Sequence, residues 1–323
     1  MKHLTKLIFG VLLALILIVF PLIAGKYHVR LLSVIMVSSI FGVSFYLLLG
    51  HTGLMSFGHA AYYGLGAYST ALCLVHFPGF HILSAIAIGS LSGLLAGLII
   101  GLLILRLNRI FLALGTLAFS QMFWAIAWKW RGLTRGDDGM TGWSSKEIIL
   151  PLLGNFSLSN ITFIYYFILI IATITILACW YFTRTPIGNT LISIKSNSER
   201  AQFIGVNVNF AKFIVFAFSA LVAGVAGSLH AVLEKVVSPT LFDMFKSFDV
   251  VLISVFGGYS TFVGPIVGSF FYVYLVEYLS SVTDKWELIL GILFIFIVLY
   301  YPNGLSGMFK ALLEQRGPLN KNG

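Results

Sequence analysis

Apolar runs of membrane length follow one another along almost the whole chain, and polar residues gather in the short gaps between them. A helix needs about 20 apolar residues to cross a hydrocarbon core of roughly 30 Å. The pattern places such segments at 7–24, 30–49, 52–76, 82–105, 110–128, 161–182, 208–233, 246–258, 263–282 and 286–302. The eighth is different: it is short, Asp243, Lys246 and Asp249 stand at its start, and Gly257-Gly258 closes it. It reads as a half-helix or a re-entrant segment, which a membrane tolerates only where protein or water satisfies the backbone. The expectation is an all-α, polytopic integral membrane protein with about ten transmembrane helices (nine or ten), forming one domain over residues 1–323.

Two polar gaps are longer than the rest. One, residues 129–160, includes Trp130 to Trp143, where glycines and charges of both signs lie between two tryptophans suited to interfacial anchoring. It reads as an external loop, either simply solvated or shaped to dock a delivery protein. The other, residues 184–209, carries helix signals of its own. Pro186 suits a first helical position, with Thr185 before it as a cap. Ser196-Asn-Ser-Glu199 has capping-box spacing, in which Ser196 caps a backbone N–H and Glu199 reaches back. Gly205 ends the second helix. Two helices this short do not persist alone in water, so something must hold them.

Composition agrees with a bilayer protein. Hydrophobic residues make up 59% and charged residues 10%, against about 25% charged in soluble domains, and the mean hydropathy is +0.98. The net charge of +9 comes from basic residues scattered among loops, with no stripe or run of the kind that binds nucleic acid. With ten crossings both termini share one side, and that side holds eleven of the twenty Lys and Arg residues, including Lys2, Lys6, Arg106, Arg109 and Lys310. The positive-inside rule then places both termini and the 184–209 segment in the cytoplasm. The N-terminus resembles a signal peptide in part, but no Ala-x-Ala-like site follows, and a retained first span is expected.

Small residues recur at helical spacing. Gly89, Gly93, Gly97 and Gly101 lie on one face of the fourth segment, and Ala220, Gly224 and Ser228 repeat the device in the seventh. Such stripes let helices pack closely, either as fixed contacts or as smooth faces that rock. Ser56, Ala60 and Gly64 form a third. Gly-rich stretches at 53–64 and 257–268 suit either close packing or broken helices whose free backbone lines a path. His51 and His59 flank the first stretch; with no third ligand near, packing or proton handling is preferred to a metal. Cys73 and Cys179 read as separate packing residues.

Chemistry of catalysis is missing. No Gly-x-x-x-x-Gly-Lys-[Ser/Thr], His-Glu-x-x-His, paired-cysteine motif or Gly-x-Ser-x-Gly occurs, so the chain is expected to be neither an ATPase nor another enzyme, and to hold no metal or cofactor of its own. Acidic residues are scarce in the apolar segments: Glu277 is the clear exception, with Asp249 at a boundary. That argues weakly against an ion-coupled carrier.

Several motifs together resemble one family. They are Gly53-Leu-Met-Ser-Phe-Gly-His-Ala-Ala-Tyr-Tyr-Gly-Leu-Gly-Ala-Tyr68, Thr116-Leu-Ala-Phe119, Thr134-Arg-Gly-Asp-Asp-Gly-Met-Thr-Gly142, Ser219 to Ser228, Gly257-Gly258 with Gly264-Pro265, and Tyr301-Pro-Asn-Gly-Leu305. In order and spacing this set resembles the permease subunits of ATP-binding-cassette importers for branched-chain amino acids, LivM type. The resemblance implies a bacterial inner-membrane subunit whose partners are two ATP-binding subunits that bind ATP and Mg, a second homologous permease and an extracytoplasmic solute-binding protein. It also implies that 184–209 is the coupling element, patterned Glu-Ala-Ala-x-x-x-Gly. Here Glu199, Ala201 and Gly205 match, and Arg200 replaces the first Ala. Ile187, Leu191 and Ile194 would enter an apolar groove of the ATPase. The resemblance supplies no substrate-binding residues; leucine, isoleucine or valine is the expected solute, with urea, short amides or other amino acids as alternatives.

Overall fold

The computed structural model describes residues 15–77, 79–143, 147–150, 154–157, 160–300, 304 and 307. The expectations about Lys2, Lys6 and Lys310, about the start of the first segment and about most of Tyr301–Leu305 fall outside them.

Helices dominate. Residues 15–23 form α1, followed by α2 (Lys26–Thr52), α3 (His59–His76), α4 (Ile82–Ile104), α5 (Arg109–Lys129), the short α6 (Arg131–Thr134), α7 (Ile161–Arg184), α8 (Pro186–Ser196), α9 (Ser198–Phe203), α10 (Val208–Glu234), α11 (Met244–Gly257), α12 (Gly264–Val282) and α13 (Trp286–Tyr300). The expected external loop adds a detail that the all-α expectation lacked. Strands β1 (Glu147–Leu150) and β2 (Gly154–Ser157) pair as a small antiparallel hairpin.

Among the described residues, six helices are long and apolar enough to cross a bilayer: α2, α4, α5, α7, α10 and α12. The expected continuous span at 52–76 is corrected. Gly53 turns into the left-handed region at φ +69°, residues 54–56 leave helical geometry, and α3 resumes only at His59. The expectation of a short helix near 246–258 holds as the 14-residue α11, entered through an irregular stretch and a single turn at Pro239–Phe242.

One centre organises the bundle. The α4 stripe packs on the α10 stripe: a methyl group on Gly93 would lie 2.7 Å from the Ala220 carbonyl, one on Gly97 would strike Ala220, and one on Gly224 would lie 3.1 Å from the Gly89 carbonyl. The third helix at this junction is α3, whose Gly66 sits directly against the Gly224 backbone. Ser228 Oγ lies 3.2 Å from the Gly66 carbonyl and 2.8 Å from that of Gly224. Gly101, at the end of the stripe, meets the Phe216 ring. Association in lipid gains little from apolar transfer, so these close backbone approaches supply the dispersion that joins the helices.

The starts of α3 and α11 meet inside the bundle. The Ser247 hydroxyl accepts the Ala60 N–H at 3.1 Å, joining the first turns of α11 and α3. Phe242 enters between α3 and α5, stacked on Tyr68 and Phe123 with ring centres 5.3 and 6.1 Å away, and the Ser120 hydroxyl donates to its carbonyl at 2.7 Å. Gly64 has no side chain because the Phe242 ring occupies that space.

Candidate functional site: an elbow and a charged cleft

The segment from Pro186 to Phe203 folds as two short helices hung between α7 and α10. Thr185 caps α8, its hydroxyl accepting the Gly188 N–H at 3.3 Å, and Pro186 takes the first turn as expected. The capping box is corrected. The Asn197 side chain caps α9 by accepting the Arg200 N–H at 2.9 Å, whereas the Ser196 hydroxyl donates to the Ser193 carbonyl within α8. Asn197 breaks the helix itself, with extended backbone at φ −158° and ψ 106°, so the cap moves one residue on. At the other end Gly205, at φ +86°, donates to Gln202 and Val206 donates to Ala201. That pair of bonds is a Schellman stop.

Burial sorts the expected docking residues. Leu191, Ile194 and Ala201 join the chain's own core, where α8 packs on α2, α7 and α10. Leu191 and Ile194 are therefore what holds the elbow in place, a correction to their expected availability for an outside groove. Ile187 stays at the surface, as do Glu199 and Arg200. The sequence reading missed the largest apolar exposure here, Phe203 at 89% and Ile204 at 75%. Two adjacent bulky residues just before Gly205 were the available signal.

One side chain ties the elbow to both helix breaks. Lys195 Nζ donates to the Gly50 carbonyl at 2.7 Å, its stem lies beside Gly53, and its ammonium stands 5.9 Å from the centre of the Tyr259 ring, between α11 and α12. Desolvation in this position lowers its pKa from the ordinary lysine value.

A second polar assembly lies away from the elbow. Arg30 on α2 pairs with Glu234 at the end of α10 at 2.5 Å. Lys246 on α11 pairs with Asp249 at 3.2 Å, and Asp249 accepts the Tyr272 hydroxyl of α12 at 2.5 Å. Lys246 also stands 5.4 Å from the Tyr63 ring centre and interacts electrostatically with Glu234. A cleft of about 250 Å³, lined by Tyr27, Arg30, Val34, Glu234, Val273 and Glu277, opens beside the first pair. Glu277, the one acidic residue that stood out in the sequence, accepts the Tyr27 hydroxyl at 2.8 Å. Lys246 and Asp249, three apart in a segment too short to be an ordinary span, were the sequence signal for this cluster.

His51 and His59 are both buried among aromatic rings. His59 is enclosed by Phe41, Phe45 and Tyr62, with Ser44 Oγ 2.8 Å from Nε2, and His51 packs edge-on to Tyr46. No group of three metal-ligating side chains occurs among the described residues. Cys73 and Cys179 are free.

Against known proteins, residues 27–298 match the family described as branched-chain amino acid transport system / permease component. The chain belongs to that family. The permease is also 24% identical over 95% of its length, and 76% of theirs, to the high-affinity branched-chain amino acid transport system permease protein LivM of Escherichia coli and to its namesake in Salmonella typhimurium. No solved structure matches the permease significantly. Its apolar helices and its relatives together make it a multi-pass membrane protein of transport.

Proposed function

We propose that this chain is one permease subunit of an ATP-binding-cassette importer in a bacterial inner membrane, lining the path for leucine, isoleucine or valine. The observation that carries the reading is the elbow: a core-anchored pair of short helices that presents Phe203 and Ile204 outward, in a chain that has no ATP-phosphate cradle. Exposed bulky residues on an ordered support mark a docking surface. Two ATP-binding subunits, which bind ATP and Mg, dock there from the cytoplasm; a second permease of related sequence completes the path; and an extracytoplasmic binding protein delivers the solute to the side that bears the hairpin. In this reading both termini are cytoplasmic, and α1, α3, α11 and α13 complete the ten crossings, the last three with help from their irregular flanks.

The alternative of another class, an ion-coupled carrier, needs an intramembrane carboxylate free to take up a proton or cation. Glu234 and Asp249 are each paired with a cation and Glu277 holds the Tyr27 hydroxyl, so none of these three carboxylates stands free, which supports the ATP-driven reading. The test is reconstitution with candidate ATPases and binding proteins in proteoliposomes. Leucine-stimulated ATP hydrolysis and uptake that persist after the ion gradient is collapsed are expected. Uptake that needs only the gradient would overturn the mechanism, and stimulation by urea or a short amide alone would overturn the substrate.

A further inference from the structure

The charged residues outside the elbow form a ladder. It starts at the hairpin end with Tyr27–Glu277, continues with Arg30–Glu234, and reaches Lys246, Asp249 and Tyr272. Tyr272 is the ninth of the 19 residues of α12, so the ladder descends to the middle of that crossing. Positive and negative groups alternate along it, and four separate helices contribute.

Its exposure is unusual for such a depth. The side chains of Glu234, Lys246 and Asp249 are 22%, 27% and 29% exposed, and that of Arg30 is 59%. A charge facing hydrocarbon near the middle of a bilayer costs about 2.5–3.5 kcal/mol even on the mildest scales. Arg30 and Glu234 stand at the ends of α2 and α10, but Lys246 and Asp249, held beside the middle of α12 by Tyr272, therefore belong beside water or beside a polar solute. Pairing alone does not account for them either, because an ion pair withdrawn from water seldom gains stability over apolar residues of similar size.

We propose that this ladder, with the cleft beside Arg30 and Glu234 as its mouth, is a binding site of the translocation path for the zwitterionic head of an α-amino acid, with Arg30 and then Lys246 available to its carboxylate and Glu234 and then Asp249 available to its ammonium. The inference rests on the reading of the chain as an amino acid permease. A zwitterion has no net charge and one pole of each sign, and a ladder of alternating, mutually neutralised charges matches that pattern. The resident ion pairs exchange partners with the solute, so passage leaves no charge unpaired. Tyr27, Tyr63 and Tyr272 add hydroxyl and ring contacts, and Val34 and Val273 give the cleft near Arg30 apolar walls for an aliphatic side chain. A cleft of about 250 Å³ lies near the lower end of small-molecule sites, which suits a single amino acid.

The experiment uses the assembled transporter in proteoliposomes with radiolabelled leucine as probe. Two paired variants are compared with the wild type. Lys246→Met with Asp249→Asn removes one pair without leaving a lone unpaired charge, and Arg30→Glu with Glu234→Arg keeps an ion pair but reverses its polarity. In both, the ATPase subunits are expected to co-purify while leucine uptake falls at least tenfold, and in the reversed pair the fall persists although the ion pair can form. Wild-type uptake in the neutral pair, or full recovery in the reversed pair, would overturn the site and leave the permease reading standing. Absence of ATP-driven uptake of any amino acid by the wild type would overturn the permease reading itself.

Discussion

Lys195 donates a hydrogen bond to the carbonyl of Gly50 at 2.7 Å, across 145 residues of chain. Gly50 lies in the last turn of α2, where carbonyls lack helical partners and the helix dipole favours a cation. The contact joins the elbow to the end of a core helix immediately before the break at Gly53. In the proposed importer, a push on the elbow would reach α2 through this bond, and through Tyr259 the loop between α11 and α12.

Replacing Lys195 with Met keeps the stem and removes the donor. Because Lys195 is only partly buried, the cost falls toward the lower part of the range of about 1.5–3 kcal/mol for charged hydrogen bonds, and the fold survives. Hydrogen exchange at residues 48–53 should quicken, and leucine uptake per ATP hydrolysed should fall severalfold. Unchanged exchange and unchanged stoichiometry would sink this route of coupling.

Docking and folding separate within the elbow. Phe203→Ser, at an exposed position, should change stability by under about 0.5 kcal/mol while abolishing co-purification of the ATPase subunits. Leu191→Ala should do the reverse in stability, costing about 2–5 kcal/mol as a buried truncation. Thermal unfolding and pull-down of both variants check the contrast; retained ATPase binding in Phe203→Ser removes that residue from the interface.

The caps make a local test. Asn197→Ala should weaken α9 by about 1 kcal/mol, whereas Ser196→Ala should change little, since its hydroxyl only bonds back within α8. Gly205→Ala forces a methyl-bearing residue to φ +86° and should also destabilise by about 1 kcal/mol. Exchange rates across residues 198–206 distinguish these cases, and an equal effect of the two Ala caps would restore the capping box.

The glycines divide sharply by what surrounds them. Gly224→Val adds bulk where the backbones of Gly89 and Ser90 already lie 3.1–3.2 Å from a Cβ, so loss of folded, detergent-stable protein is expected. Gly291 in α13 has nothing within 4 Å of a Cβ. Gly291→Ala should be neutral or stabilising by up to about 1 kcal/mol. Melting temperatures of the two purified variants decide it.

Much of this architecture is written in local pattern. Among the described residues most of the apolar segments map onto helices because each contains its own driving force, the transfer of side chains into lipid and the closure of its own backbone bonds. Pro186 and Gly205 mark helix ends because their φ preferences are intrinsic. The small-residue stripes on α4 and α10 are legible too, since helical spacing alone puts Gly89 and Gly93, or Ala220 and Gly224, on one face.

What local pattern could not supply was partnership. Which stripe meets which, and that Gly66 of α3 joins them, depends on helix tilt and order in the bundle. Within α8 the apolar residues share a helix face, yet only the neighbouring α2, α7 and α10 decide that Leu191 and Ile194 turn inward while Ile187 stays out. Arg30, Glu234 and Lys246 each look like an ordinary charge near the end of an apolar run. They become a ladder because three helix ends and an interrupted crossing converge, and electrostatic neighbours so far apart in sequence exist only once the tertiary structure places them a few ångströms apart.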